Sequence, residues 1–166
     1  MNKKSLEEIA QKMVADGKGI LAADESTGTI KKRFDTIALE STEDNRRDYR
    51  EMLFRSDEAM QSAISGVILY DETIRQKAAD GTTLVSLIER AGSIPGIKVD
   101  AGAKDMAGHP NEKVTEGLDG LRERLEEYFK LGARFAKWRA VIIIGDRIPS
   151  RACITANTHA LARYAA

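Results

Sequence analysis

Apolar residues along this chain alternate between two spacings. Short continuous runs mark strands covered on both faces, and i, i+3, i+4 patterns mark amphipathic helices. A capping-box pair, Ser5 and Glu8, opens a first helix that carries Leu6, Ile9 and Met13. The run Ile20-Leu21-Ala22-Ala23 then predicts a buried strand ending at Asp24. Ser26, Thr27 and Gly28 form a turn, and residues 29–34 predict a short helix with Lys31, Lys32 and Arg33. Ser41 and Thr42 begin a longer helix whose inner face is expected to be Tyr49, Met52 and Leu53. A second strand is predicted over 64–70, a helix over 83–90 capped by Gly92, and a third strand over 96–100. Leu118, Leu121, Leu125 and Phe129 stripe a helix expected over 117–131, closed by Gly132. A fourth strand follows over about 134–144, and a last helix starts at Pro149 and is still running at Ala166.

Strands alternating with helices predict an α/β fold with a parallel sheet. Neither Gly-x-Gly-x-x-Gly nor a Walker phosphate loop follows the first strand, which argues against a dinucleotide-binding or P-loop sheet. Lys98 and Asp100 share one face of the third strand, as Lys137 and Arg139 share one face of the fourth. Charges on a face covered by helices are costly. In a closed barrel that face points into the lumen, whose C-terminal mouth is where ligands bind. The expected fold is therefore a (β/α)8 TIM barrel, of which these residues are about the first four β/α units behind an N-terminal helix. A whole barrel needs roughly 250 residues. The 166 residues thus predict the N-terminal half of one barrel domain, with Ala166 inside an open helix.

Composition narrows the partners. Twenty-six basic and 26 acidic residues cancel, so no long-range field favours nucleic acid or an anionic membrane. No apolar run approaches the roughly 20 residues that span a bilayer. A single cysteine, Cys153, forms no intrachain disulfide, which fits a reducing, cytoplasmic setting. His109, His159 and Cys153 lie scattered without metal-ligand spacing, so no metal is expected.

Asp24, Lys98, Asp100, Lys137 and Arg139 all fall near strand ends. Converging cations can stabilise phosphate oxygens and lower a neighbouring lysine's pKa, and a nearby carboxylate can relay protons. The plain alternative is a structural ion-pair network. Ser26, Thr29, Lys32 and Arg33 combine hydroxyls, helix-start amides and cations into a possible phosphate cradle, or else a capped surface helix. Arg46 and Arg47 read either as further anion contacts or as a solvated face.

Six blocks resemble class I fructose-1,6-bisphosphate aldolases in order and spacing. They are Leu21-Ala22-Ala23-Asp24-Glu25-Ser26-Thr27-Gly28, Glu43-Asp44-Asn45-Arg46-Arg47, Gly66-Val67-Ile68-Leu69, Gly96-Ile97-Lys98-Val99-Asp100, Gly117-Leu118-Asp119-Gly120-Leu121 and Phe135-Ala136-Lys137-Trp138-Arg139. The resemblance implies a glycolytic lyase that works without cofactor, through a lysine Schiff base, and assembles as a homo-oligomer, a homotetramer. It implies that Asp24 handles protons beside that lysine and that Lys137 stabilises charge during carbon–carbon cleavage. Lys98, Arg139, Arg33 and Arg46 would hold phosphate and hydroxyl groups of a phosphorylated sugar, with Ser26 and Thr29 nearby. The Schiff-base lysine and the acid/base glutamate are expected on later strands, so these residues alone are expected to be inactive. Two other readings stay open: a smaller lyase whose Schiff base forms on Lys137, and a non-catalytic phosphosugar-binding or assembly half-barrel.

Overall fold

A computed structural model describes residues 3–166. The chain divides into two compact units, residues up to 98 with 128–136, and residues 99–127 with 137–166.

The first unit opens with α1 (Lys3–Met13), β1 (Gly19–Ala23), α2 (Thr27–Asp35), α3 (Glu43–Phe54) and α4 (Asp57–Ala63). It continues with β2 (Ile64–Leu69), α5 (Asp71–Arg75), α6 (Leu84–Arg90) and β3 (Ile94–Lys98). β1 pairs parallel with β2 and β2 parallel with β3, with Leu21 opposite Val67 and Leu69 opposite Ile97. The sheet order is β1-β2-β3-β6, where β6 is Phe135–Lys137. Val67, Leu69 and Ile97 on the strands and Ile30, Phe54, Leu84 and Ile88 on the helices are buried. The parallel sheet with interleaved helices is the α/β class that the pattern predicts.

Phe135 sets the composition of its neighbours. A Cβ added to Gly96 of β3 would lie 2.2–2.4 Å from three atoms of the Phe135 ring, and one added to Gly66 of β2 would lie 3.2 Å away. The ring occupies the space that side chains would take, so both strands carry glycine there.

Several expectations change. Ser5 is not a cap, because α1 already runs at Lys3. β1 is an edge strand rather than a buried one, and Ile20 is 42% exposed. β3 lies two residues earlier than predicted, so Lys98 is its last residue and Asp100 lies beyond it. The short helices α4 and α5 have too little apolar periodicity to stand out. The buried residues of α3 are Arg46, Arg50 and Phe54, at i, i+4 and i+8, while Met52 is 59% exposed. That helix turns a charged stripe inward, which an apolar template does not look for.

The second unit holds a hairpin absent from the sequence expectation, β4 (Gly102–Asp105) antiparallel to β5 (Lys113–Glu116). Most of α7 (Leu121–Lys130) and all of α8 (Arg151–Ala165) complete it. α7 starts four residues later than the leucine stripe suggests, because Gly117 (φ +126°) and Gly120 (φ +60°) adopt backbone that a helix excludes. The fourth strand is only Phe135–Lys137, and residues 138–144 are irregular with Ile144 87% exposed. Ser150, not Pro149, caps α8: its Oγ accepts from the Cys153 amide at 3.1 Å.

Candidate active site

Asp24 directly follows the last residue of β1 and is buried. Its two chain neighbours are held by one side chain. Arg50, reaching in from α3, is 0% exposed. Its Nε donates to the Ala23 carbonyl at 3.2 Å and its Nη2 to the Glu25 carbonyl at 2.8 Å. The same Nη2 lies 3.5 Å from Glu25 Oε2. Burial pulls the Arg50 pKa downward and the Glu25 charge opposes that pull. A guanidinium in this position fixes the backbone on both sides of Asp24, which a lysine could not do with one nitrogen.

Glu25 is shared. Its Oε1 accepts from Arg33 Nη1 on α2, and that nitrogen also lies 3.4 Å from the Tyr49 hydroxyl. Arg33 keeps 57% of its side chain exposed, so it can still reach solvent or a ligand. Ser26 sits at the N-cap of α2 without making the usual side-chain cap. Its hydroxyl pairs with that of Thr29 at 3.1 Å instead, beside the first amides of the helix.

Arg46 is used differently. Nε and Nη2 form a two-pronged pair with the Glu72 carboxylate, and Nη1 donates to the Ser41 carbonyl. The Glu72 hydrogen bonds raise the Arg46 pKa, and the Arg46 hydrogen bonds hold Glu72 below its ordinary range. Lys98, half-buried, closes β3.

Lys137 and Arg139 belong with the second unit. The Lys137 carbonyl accepts from the Val99 amide at 3.0 Å, and the Arg139 carbonyl from Thr115 Oγ1 at 2.8 Å. Arg124 of α7 donates to the carbonyls of Val99, at 3.1 Å, and Gly117. A Cβ on Gly117 would come within 2.8 Å of the Ala101 amide, so that loop packs backbone on backbone. Trp138 lies beside Tyr164 of α8, ring centres 5.5 Å apart.

Asp24, Ser26, Thr29, Arg33, Arg46 and Lys98 thus fall in the first unit, and Lys137 and Arg139 in the second. Glu25, Arg50, Glu72, Thr115 and Arg124 escape the sequence reading as positioning groups. For Arg50 a signal exists: its i, i+4 spacing from Arg46 and to Phe54 marks one face of α3. Among the described residues no group of three or more His, Cys, Asp or Glu could hold a metal ion. No helix among them is long and apolar enough to cross a membrane.

Placed this way, the residues define an α/β protein with a carboxylate, Asp24, and a cation, Lys98, at the C-terminal ends of parallel strands. The chain belongs to the class I fructose-bisphosphate aldolase family, whose model matches residues 5–166. It is 62% identical over all 166 residues to a Xanthomonas campestris protein named "Probable fructose-bisphosphate aldolase class 1", covering 49% of that relative. It is 54% identical over 163 residues to the non-muscle fructose-bisphosphate aldolase of Lethenteron camtschaticum, covering 98% of this chain and 45% of that one. A Plasmodium falciparum fructose-bisphosphate aldolase, solved with TRAP and a small-molecule inhibitor, superposes with a TM-score of 0.91 at 50% identity. That match covers 98% of this chain and 47% of the other. The chain spans about half the length of the relatives it matches.

Proposed function

We propose that this chain carries the phosphosugar-binding and charge-stabilising part of a class I aldolase site, for reversible cleavage of fructose 1,6-bisphosphate to dihydroxyacetone phosphate and glyceraldehyde 3-phosphate. The observation that supports it most is the position of Asp24, Lys98 and Lys137, each the last residue of a strand of one sheet or the next residue along. Ligand sites of parallel α/β barrels form at that end of the strands.

Each residue has a part in this reading. Asp24, held between two carbonyls anchored by Arg50, is the carboxylate that moves a proton. The Lys137 ammonium stabilises negative charge that grows on the substrate as the carbon–carbon bond breaks. Lys98, Arg139 and Arg33 bind phosphate and hydroxyl oxygens, and Ser26 and Thr29 present hydroxyls and helix-start amides to a phosphate. Arg46, committed to Glu72 and Ser41, serves the site by bracing α3 against α5. The Schiff-base lysine and the acid/base glutamate of this reading are assigned beyond residue 166. The full barrel, cytoplasmic and homo-oligomeric, completes the proposal.

The test fuses these residues to the C-terminal half of the Xanthomonas campestris relative and treats the fusion with dihydroxyacetone phosphate and borohydride. The covalent label is expected beyond residue 166. A label on Lys137 would instead make Lys137 the Schiff-base lysine and overturn the assignment.

A further inference from the structure

The unforeseen β4–β5 hairpin reaches the Lys137–Arg139 segment through a hydrogen bond from Thr115. Thr115, on β5, is 3% exposed, and its Oγ1 donates to the Arg139 carbonyl at 2.8 Å. Two residues earlier, the Lys137 carbonyl is held by the Val99 amide at 3.0 Å. Between these anchors the backbone is no longer strand: β6 ends at Lys137 and 138–144 is irregular. Regular pairing therefore does not hold Arg139, and the Thr115 hydroxyl supplies the bond that a ladder would have supplied.

β5 is itself well anchored. Its pairing with β4 runs from Gly102 opposite Glu116 to Asp105 opposite Lys113. Asn157 Nδ2 of α8 donates to the Lys113 carbonyl at 2.8 Å, and the Ala101 amide donates to the Glu116 carbonyl at 2.8 Å. Thr115 thus projects its hydroxyl from a support tied at both ends.

We propose that Thr115 is a positioning residue that fixes the Lys137-Trp138-Arg139 segment, and with it the two cations assigned above to substrate. Its functional part rests on the aldolase reading; its structural part does not. Serine keeps the hydroxyl. Valine keeps the shape and removes it, leaving a carbonyl without its donor.

Trp138 is the only tryptophan in the chain and lies inside the segment, so its fluorescence reports on it directly. In the 166-residue chain, acrylamide quenching of Trp138 should be steeper in Thr115→Val than in the unmodified protein, and unchanged in Thr115→Ser. Should the valine variant lose its cooperative melt, Thr115→Ala against Thr115→Ser asks the same question, since both lack the methyl group. In the fusion enzyme, kcat/KM should fall about fivefold in the valine variant and recover in the serine variant, the factor a single hydrogen bond carries. Quenching that is identical with and without the hydroxyl overturns the proposal. A fusion that never turns over while quenching separates the variants overturns the aldolase reading and leaves Thr115 as the segment's anchor.

Discussion

Arg50 holds Glu25 twice with one nitrogen: Nη2 donates to its carbonyl at 2.8 Å and lies 3.5 Å from its Oε2. The carboxylate end continues to Arg33, so a fully buried cation and a half-exposed one share Glu25 on either side. Removing Arg50 takes the donor from two carbonyls, at about 1–3 kcal/mol each where they are buried, and leaves Glu25 with Arg33 alone. Arg50→Ala should lower stability by that order in urea unfolding. Arg50→Lys should rescue little, because one ammonium cannot span the Ala23 and Glu25 carbonyls. A lysine variant as stable as the parent would show that the two-carbonyl clamp contributes nothing.

Arg33 separates binding from stability. The Arg33 side chain is 57% exposed, and Glu25, itself 7% exposed, keeps Arg50 when Arg33 is removed, so the loss should stay near the roughly 0–1 kcal/mol of solvent-facing pairs. Arg33→Ala should therefore leave the melting temperature nearly unchanged while raising KM for fructose 1,6-bisphosphate in the fusion enzyme. An unchanged KM would leave Arg33 as a surface partner of Glu25 alone.

The contact between Gly96 and Phe135 predicts a non-additive pair. Gly96→Ala places a methyl on the ring, and overpacking of this kind costs about 1–3 kcal/mol. Combining it with Phe135→Leu should recover part of the loss, a coupling visible in a double-mutant cycle. Additive losses would mean that the ring yields without cost.

The Arg46–Glu72 pair gives a pH dependence with a definite sign. Arg46 holds the Glu72 carboxyl below its ordinary 4.5, so the unfolded chain binds more protons in that acid window. The stabilisation is complete above the ordinary value and is lost as pH falls through the depressed one. The melting temperature should drop on acidification below 4.5, and Glu72→Gln should flatten that slope. An identical acid profile in the two proteins would remove Glu72 from the account.

How far the sequence could be read depends on which force shaped each element. β2 and α6 are buried apolar elements, and their spacing placed them within a residue of where they lie. The β4–β5 hairpin is half polar and bears no such mark; polar bonds at Thr115 and Lys113 tie it down. The inward face of α3 escapes an apolar template, because what it buries is two arginines whose carbonyl and carboxylate partners lie distant in sequence. The residues expected to touch substrate were legible from the family's blocks. The groups that hold them, Arg50, Glu25 and Thr115, were not, because a hydrogen bond across 25 residues leaves no periodicity.

The central proposal is that Lys137 stabilises the charge that grows on the substrate as the carbon–carbon bond breaks. The measurement is fructose 1,6-bisphosphate cleavage by the fusion enzyme with and without Lys137→Met, alongside far-UV circular dichroism to confirm the fold. Losing one preorganised charge at a developing oxyanion costs about 2.7–4 kcal/mol, so kcat should fall at least ~100-fold with the fold intact. A folded Lys137→Met enzyme with near-normal turnover would contradict the account.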